Sequence, residues 1–229
     1  GAEIGCYDLA HYLKEQKSSS FIATSGGELL KYIDKKKVKL FRLPVHSKNP
    51  LLILINIFIL TFIVLFYKIN ILHVRSRAPA WSCYYVSKIT RCKLVTTFHG
   101  TYNFNNSIKK KYNAIMLQSD CVIAGSNFIF SHIKEKYPEY ISKIKKFLVI
   151  FRGINTEYYD PDNIKEADRI KFLKKLNIDI NKKIILMPGR LTEWKGQEIF
   201  IEALTDLKTK YCYKNFISLL YIYKKMYKF

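Results

Sequence analysis

Short apolar runs alternate along this chain with longer amphipathic segments, and this alternation constrains the fold more than any other feature. Seven runs have the length and composition of buried strands: residues 21–24, 38–43, 69–74, 94–98, 121–124, 147–151 and 184–187. Eight helix-like segments accompany them: residues 3–16, 27–35, 50–67, 79–90, 107–118, 127–136, 164–176 and 197–209. Apolar strands separated by helices are typical of a parallel sheet covered on both faces, so we predict an α/β fold.

The best candidate for a domain boundary is the polar stretch at residues 155–163, which contains Pro161. A chain of 229 residues accommodates two small domains. We therefore predict one α/β domain over residues 1–155 and a second α/β unit over residues 156–229.

The charge of the chain is large but diffuse. There are 39 basic and 18 acidic residues, a formal charge of +21, and only seven of the basic residues are Arg. Proteins that read nucleic acids concentrate Arg, whose planar fork binds phosphate and guanine, so we expect no nucleic-acid partner. A solvated lysine surface and attraction to an anionic membrane remain the two interpretations of the charge.

Cysteine and histidine usage argues against several classes of site. The five cysteines form no CxxC pair and no cluster with histidine, a pattern that excludes a disulfide scaffold and suits a reducing cytosol. The five histidines have no metal-ligand spacing, so we expect no metal. The sequence also lacks a P-loop and the GxSxG and HExxH motifs.

Residues 51–66 form an unbroken apolar segment apart from Asn56 and Thr61. Sixteen residues are short for a transmembrane helix, which needs about 20, and a span would separate the flanking strands. One interpretation is a buried or interfacial helix of the α/β layer. The other is a helix that contacts a membrane surface, since Lys48 and Lys68 flank it.

Ligands of open parallel sheets bind beyond the carboxyl ends of the strands, so residues at those ends are candidates. Arg75 and Arg77 follow one strand and suit a phosphate or carboxylate; the alternative is two exposed loop arginines. His99 and Gly100 follow the next strand. There the glycine permits a tight turn and close ligand approach, and the histidine can bond hydroxyls or transfer protons, unless it is an ordinary loop histidine.

Two further strand ends precede helices. Gly125 and Ser126 either cap a helix or present its free N–H groups to an anion, and plain capping is favoured. After the strand at 184–187, Gly189 lets the backbone turn, and Arg190 and Lys195 lie near a helix start. Two cations at a helix start are suited to a diphosphate, although both side chains can simply be solvated.

Several of these motifs together resemble glycosyltransferase family 4, which has the GT-B fold. The segments that carry the resemblance are Gly1-Ala2-Glu3, Arg75-Ser76-Arg77-Ala78-Pro79-Ala80-Trp81, Thr97-Phe98-His99-Gly100-Thr101-Tyr102-Asn103, Phe151-Arg152-Gly153-Ile154-Asn155 with Tyr159-Asp160-Pro161, and Gly189-Arg190-Leu191 with Lys195-Gly196. The resemblance extends from Gly1 to about Leu204.

The resemblance implies two Rossmann-like domains, the acceptor bound by the first and a nucleotide-sugar donor by the second. It implies that Arg190 and Lys195, with Gly189 and Gly1, bind the donor diphosphate as the leaving group departs. His99 would be the catalytic residue beside the transferred sugar. Acceptor-binding residues would be Arg75, Arg77, Gly100, Thr101 and Tyr102. The family transfers sugars with retention of configuration and typically needs no metal or other cofactor.

The chain departs from the family pattern at both ends. The first strand and first glycine of the N-terminal loop are missing, and the second Rossmann-like domain is incomplete after Leu204. We expect a cytoplasmic enzyme, peripheral to the inner face of the membrane, that acts on a lipid-linked or polysaccharide acceptor of the cell envelope, for example in lipopolysaccharide synthesis. We also expect little or no activity of this truncated form. The alternative is a non-catalytic remnant that binds anionic membrane or glycan through the apolar helix and the lysine surface.

Overall fold

A computed structural model describes residues 2–212, 215–222 and 225–228. The chain divides into two compact units, Gly1–Gly153 and Ile154–Phe229. Each unit is described by itself.

The first unit alternates strands with helices. Its strands are β1 (Phe21–Thr24), β2 (Lys39–Arg42), β3 (Ile71–Val74), β4 (Lys93–Phe98), β5 (Cys121–Ala124) and β6 (Phe147–Val149). Its helices are α1 (Ala2–Glu15), α2 (Pro50–Phe66), α3 (Arg77–Thr90), α4 (Ser107–Ala114), α5 (Asn127–Lys136) and α6 (Pro138–Ile141), with short 3-10 helices at Glu28–Tyr32 and Ile115–Leu117. The predicted α/β alternation is confirmed, and most predicted bounds lie within two or three residues of those observed.

Strands β3, β4, β5 and β6 form one parallel sheet in sequence order. Val74 pairs with Thr96, and Ala124 pairs with both Phe98 and Val149. Parallel neighbours need a crossover of a dozen or more residues, and the helical segments between the strands provide it. The carboxyl ends of the four strands therefore meet at one edge of the sheet.

The core of the first unit packs the helices against this sheet. Its most deeply buried side chains are Val86, Leu94, Phe98, Ile115, Met116, Val122, Ile133 and Tyr137. Burying such side chains contributes about 1.5–3 kcal/mol each before the entropy of ordering them is subtracted. Tyr137 can be buried in this core because its hydroxyl donates a hydrogen bond to the carbonyl of Tyr102.

The described residues of the first unit form two separate sheets. Strands β1 and β2 pair only with each other, in parallel. They have a small core of their own, made of Ala10, Ile22, Ile33 and Val38. Because this core is separate from that of the main sheet, the two sheets form distinct layers of packing.

Residues 27–35, predicted to be helical, form only a short 3-10 helix at Glu28–Tyr32. Gly26 and Gly27 precede it at φ 139° and 135°, and no side chain caps its N-terminus. A five-residue segment without a cap gains too few hydrogen bonds to extend as an α-helix.

In the second unit the predicted α/β pattern continues, but its last strand is antiparallel to its neighbour. It contains a 3-10 helix at Pro161–Asn163, then α7 (Glu166–Lys175), β7 (Lys183–Pro188), a 3-10 helix at Glu193–Lys195, α8 (Gln197–Thr209), β8 (Phe216–Ile222) and β9 (Lys225–Lys228). Strand β8 pairs with β7 in parallel, whereas β9 pairs with β8 in the antiparallel sense. Two residues separate β8 from β9 in the sequence, and so short a connection allows only antiparallel pairing.

Helix α2 covers α3 with one face and exposes another. Its buried face includes Asn56, whose Nδ2 donates to the carbonyl of Pro44 at 3.1 Å. Its 17 residues extend about 25 Å, less than the ~30 Å of a bilayer core. Within the part of the chain that the structure describes, no helix combines the length and apolar character that a membrane span requires.

Candidate functional site

The end of β3 lies beside the end of β4, and two predicted site residues make contact there. Arg75 follows β3, and its Nε donates to Nε2 of His99 at 3.0 Å. The Nη1 of the same guanidinium donates to the carbonyl of Gly5 in α1 at 3.0 Å. Arg75 therefore joins three segments of the first unit: α1, the end of β3 and the end of β4.

Gly5 makes room for this guanidinium. A Cβ atom at Gly5 would lie 2.8 Å from Nη2 of Arg75, closer than carbon and nitrogen approach without a bond. The role of Gly5 was not predictable from the sequence, because a glycine inside an amphipathic helix gives no sign of what packs against it.

His99 is held in its neutral form. Burial lowers the pKa of the imidazole to about 4, and the nearby cations Arg75 and Arg152 lower it further in the same direction. Its Nδ1 is inaccessible to solvent and has no hydrogen-bond partner among the described residues. The ring therefore resists accepting a proton at neutral pH.

His73 lies on β3 near this edge. Its Nε2 lies 2.7 Å from the hydroxyl of Thr97, and burial together with the charge of Arg75 lowers its pKa to about 4. His73 is therefore a second neutral histidine, with a partner inside the protein.

Arg77 lies in a different network from Arg75. Its Nη1 donates to Oδ1 of Asn113 at 2.9 Å, and its guanidinium lies 4.6 Å from the ring centroid of Tyr102. Asn113 is fully buried, and its Nδ2 donates to the carbonyl of Tyr102 at 3.2 Å. The hydroxyl of Tyr137 donates to that carbonyl at 2.6 Å.

These contacts fix the loop after β4, which carries Gly100, Thr101 and Tyr102. The roles of Asn113 and Tyr137 were not predicted from the sequence. The available signal was weak: a single asparagine on a lysine-rich helix and a tyrosine at a helix end.

Gly100 and Thr101 line the open part of this loop. A Cβ at Gly100 would meet no atom within 4 Å, and Thr101 is exposed. The chain bends at Gly100, as expected of a turn, although the backbone there does not adopt the left-handed conformation that favours glycine. The open space beside Gly100 leaves room for close approach of a ligand. Tyr102 is half-buried, and burial raises the pKa of its hydroxyl.

At the end of β5 the structure shows plain capping, as favoured above. The hydroxyl of Ser126 accepts a hydrogen bond from the N–H of Ile129 at 3.2 Å. A Cβ at Gly125 would lie 3.2 Å from the carbonyl oxygen of Phe98, so glycine allows β4 and β5 to end side by side.

In the second unit, Gly189 and Arg190 follow β7. The backbone of Gly189 is outside the left-handed region, so the loop does not use a conformation that favours glycine at this position. The loop is held by Gln197, whose Nε2 donates to the carbonyl of Arg190 at 2.8 Å. Gly196 has the left-handed conformation, with φ 74°, where the 3-10 helix gives way to α8.

The N-terminus of α8 has the features expected of an anion site. No capping side chain accepts a hydrogen bond from its first N–H groups, and such groups can bind an anion. Arg190 and Lys195 lie just before it in the sequence and expose their side chains. Gly1, the fourth residue predicted to bind diphosphate, lies outside the described residues.

Metal ligands do not cluster in the described residues: no group of three or more His, Cys, Asp or Glu side chains is placed to hold an ion. All five cysteines are free thiols.

Comparison with known proteins identifies the family. Residues 1–158 match the model of Glycosyltransferase Family 4. A glycosyltransferase from Rickettsia africae ESF-5 of known structure is 42% identical, and the match covers 95% of this chain and 56% of that one, with a TM-score of 0.80.

Two further proteins are similar at lower identity. Alr3699/HepE of Anabaena, crystallised with UDP and glucose, matches 96% of this chain and 57% of its own at 17% identity and a TM-score of 0.70, which shows a shared fold. Spore coat protein SA of Bacillus subtilis is 24% identical over 142 residues, covering 61% of this chain and 37% of its own.

The chain thus spans little more than half the length of the solved structures it resembles. The family match covers more than two thirds of the chain, and the parallel α/β architecture agrees with the GT-B fold of the structural neighbours. The chain belongs to glycosyltransferase family 4.

Proposed function

We propose that this protein takes part in sugar transfer from a nucleotide-sugar donor, with retention of anomeric configuration. The observation that supports it best is the loop from Gly189 to Gly196, which brings two exposed cations to the uncapped N-terminus of α8. A departing diphosphate carries negative charge, which cations and helix N–H groups stabilise without a metal ion. The Anabaena relative, which was crystallised with UDP and glucose, supports a uridine nucleotide as the first donor to test.

In this proposal His99 lies beside the transferred sugar, and the loop of Gly100, Thr101 and Tyr102 contacts the acceptor together with Arg75 and Arg77. The acceptor is a lipid-linked or polysaccharide component of the cell envelope, and the protein works on the cytoplasmic side of the membrane. Five free thiols are consistent with a reducing compartment.

We expect the 229 residues by themselves to transfer little or no sugar, since they span 56% of the length of the Rickettsia africae relative. The test is an assay with radiolabelled nucleotide sugars and a membrane extract as acceptor. No turnover, with UDP binding that is lost in Arg190→Ala, agrees with the proposal. Robust turnover would refute the expected inactivity, and absence of any nucleotide binding would refute the donor site itself.

A specific observation favours a second role, peripheral binding to an anionic membrane. Large apolar side chains repeat along the exposed face of α2, and Phe58, Phe62 and Phe66 are each about two-thirds exposed. A groove of about 720 Å³ lies between α2 and α3, and Tyr85 and Ile89 of α3 line it.

Charge favours a lipid surface as the partner of this face. Residues 35–119, which include α2 and α3, contain 15 Lys and Arg and no Asp or Glu. Lys48 and Lys68, at the two ends of α2, are exposed. An apolar helix face bordered by cations is suited to the boundary between anionic headgroups and acyl chains.

Sedimentation with vesicles tests this role. We expect the protein to bind vesicles with anionic headgroups, to bind zwitterionic vesicles weakly, and to release with added salt. A Phe58→Ser/Phe62→Ser variant should lose binding, whereas Lys182→Ala, in the second unit, should not. No binding to anionic vesicles, or self-association that explains the exposed face, would refute a membrane partner, and equal binding to both vesicle types would refute the role of charge.

A further inference from the structure

The bonds of Arg75 determine which nitrogen of His99 carries hydrogen. A guanidinium has only N–H donors and stays protonated in proteins, so the Nε2 of His99, 3.0 Å from Nε of Arg75, must accept. The hydrogen of the neutral ring is then on Nδ1. That N–H has no partner among the described residues and no access to water.

A buried donor without a partner is unfavourable, and native proteins retain few of them. The bond from Arg75 nevertheless holds the ring in this state, because the guanidinium Nε has only a hydrogen to offer and Nε2 of His99 is the atom that accepts it.

We propose that Arg75 is a positioning residue, which fixes His99 as a neutral imidazole with its hydrogen on Nδ1 and its Nε2 lone pair engaged by the guanidinium. The place of His99 beside a transferred sugar rests on the function proposed above, whereas the fixed ring state does not. This assigns Arg75 a role different from acceptor binding, since Nε and Nη1 are already engaged with His99 and Gly5.

The groups around the two side chains favour this arrangement. Arg75, Arg152 and the neutral His73 face His99, so a proton on Nε2 would add a cation beside existing ones. On α1, Asp8 and the thiol of Cys6 face Arg75. Because Nε2 is occupied as an acceptor and charge opposes its protonation, His99 is not available as a general base at neutral pH.

Gly5 helps to hold Arg75 in the position that bonds His99. The carbonyl of Gly5 orients the guanidinium, and the absent side chain admits it. Gly5→Ala therefore displaces Arg75 without altering Arg75 or His99, and alanine is the most favourable residue in a helix.

The test is NMR of the whole chain labelled with ¹⁵N at histidine, with His99 assigned by its disappearance in His99→Gln. We expect the wild-type signals of His99 to show hydrogen on Nδ1 and a lone pair on Nε2, unchanged from pH 8 to pH 5. In Arg75→Met we expect the hydrogen to redistribute to Nε2 and the ring to titrate nearer the ordinary value of about 6.5.

Arg152→Met is the matched control, since it removes a neighbouring cation and leaves the Arg75–His99 bond in place. It should raise the pKa of His99 while the hydrogen stays on Nδ1. If Arg75→Met does not fold, Gly5→Ala provides the same comparison.

A wild-type ring with hydrogen on Nε2 would overturn the proposal, as would an unchanged ring state in the Arg75→Met or Gly5→Ala variant that folds. These signals need no nucleotide sugar, so failure of the proposed transferase function would not alter the result.

Discussion

Arg77 donates from Nη1 to Oδ1 of Asn113 at 2.9 Å, and Asn113 in turn donates to the carbonyl of Tyr102. One buried amide thus connects the residue that begins α3 with the loop that follows β4. The loop that we propose for the acceptor is therefore positioned from inside the protein, and its shape depends on a side chain that no ligand would touch.

Asn113→Ala should lower the free energy of unfolding by about 2 kcal/mol, because it removes buried hydrogen bonds and leaves Arg77 without this acceptor. Urea denaturation measures the difference. The exposed Asn105 of the same segment is the control, and Asn105→Ala should change stability by less than about 0.5 kcal/mol. Equal stability of the two variants would show that the buried amide does not hold the loop.

Arg190→Ala and Lys195→Ala should each weaken binding of UDP about 10-fold, a loss of ~1.4 kcal/mol, since each removes a cation from the proposed diphosphate site. Titration calorimetry measures the affinity, and the wild-type affinity should fall as salt is added. Lys182→Ala removes an exposed lysine outside this loop and should bind as the wild type does. A loss of the same size in that control would indicate general charge attraction.

Gly196→Ala should cost about 1–2 kcal/mol of stability, because residue 196 has φ 74° and a Cβ atom makes that left-handed conformation unfavourable. The cost comes from the backbone alone, as a Cβ would lie 3.9 Å from the nearest atom, Cδ1 of Ile199. Thermal unfolding checks this. Gly153→Ala, at a position with an ordinary φ and open space, should be nearly neutral, and a larger loss there than at Gly196 would contradict the explanation.

Asp120 should make stability depend on pH in the acid range. The N–H of Leu94 donates to its Oδ2 at 3.0 Å, and Nζ of Lys145 donates to its Oδ1 at 2.9 Å. These two bonds hold the pKa of the carboxyl below its usual range. A lowered pKa in the folded state stabilises above the unfolded pKa, about 3.9, and the stabilisation is lost as pH falls through the folded pKa.

Urea unfolding of Asp120→Asn measures this dependence. The variant should be less stable than the wild type at pH 7, and the difference should shrink steadily below about pH 5. Lys145→Met, which removes only the exposed partner, should have a smaller effect. A difference between wild type and Asp120→Asn that is constant from pH 7 to pH 3 would rule out the ionised carboxyl as its source.

Most strands and helices were predictable because each depends on a local pattern. The run at β5 was located to the residue, and the capping role of Ser126 was predicted from its place before α5. The short 3-10 helix at Glu28–Tyr32 was not, since helical periodicity does not reveal whether a segment is long enough and capped well enough to persist.

The residues after each strand were also predictable, because parallel strands place their carboxyl ends at one edge. That reasoning identified Arg75, His99 and Arg190 as candidates. It did not predict that the backbones of Gly100 and Gly189 are outside the left-handed region, since a glycine in a sequence does not disclose its backbone angle or the space beside it.

The sequence by itself determined the α/β class, the family and the residues that follow the strands, since these depend on periodicity and motifs that are read along the chain. Only the tertiary structure decided what those residues contact. Gly5 and Arg75 are 70 positions apart, and Arg75 and His99 are 24 apart, yet each pair is joined at 3.0 Å. Hydrogen bonds and the state of a buried imidazole depend on such long-range approach, which packing creates and which linear order does not encode locally.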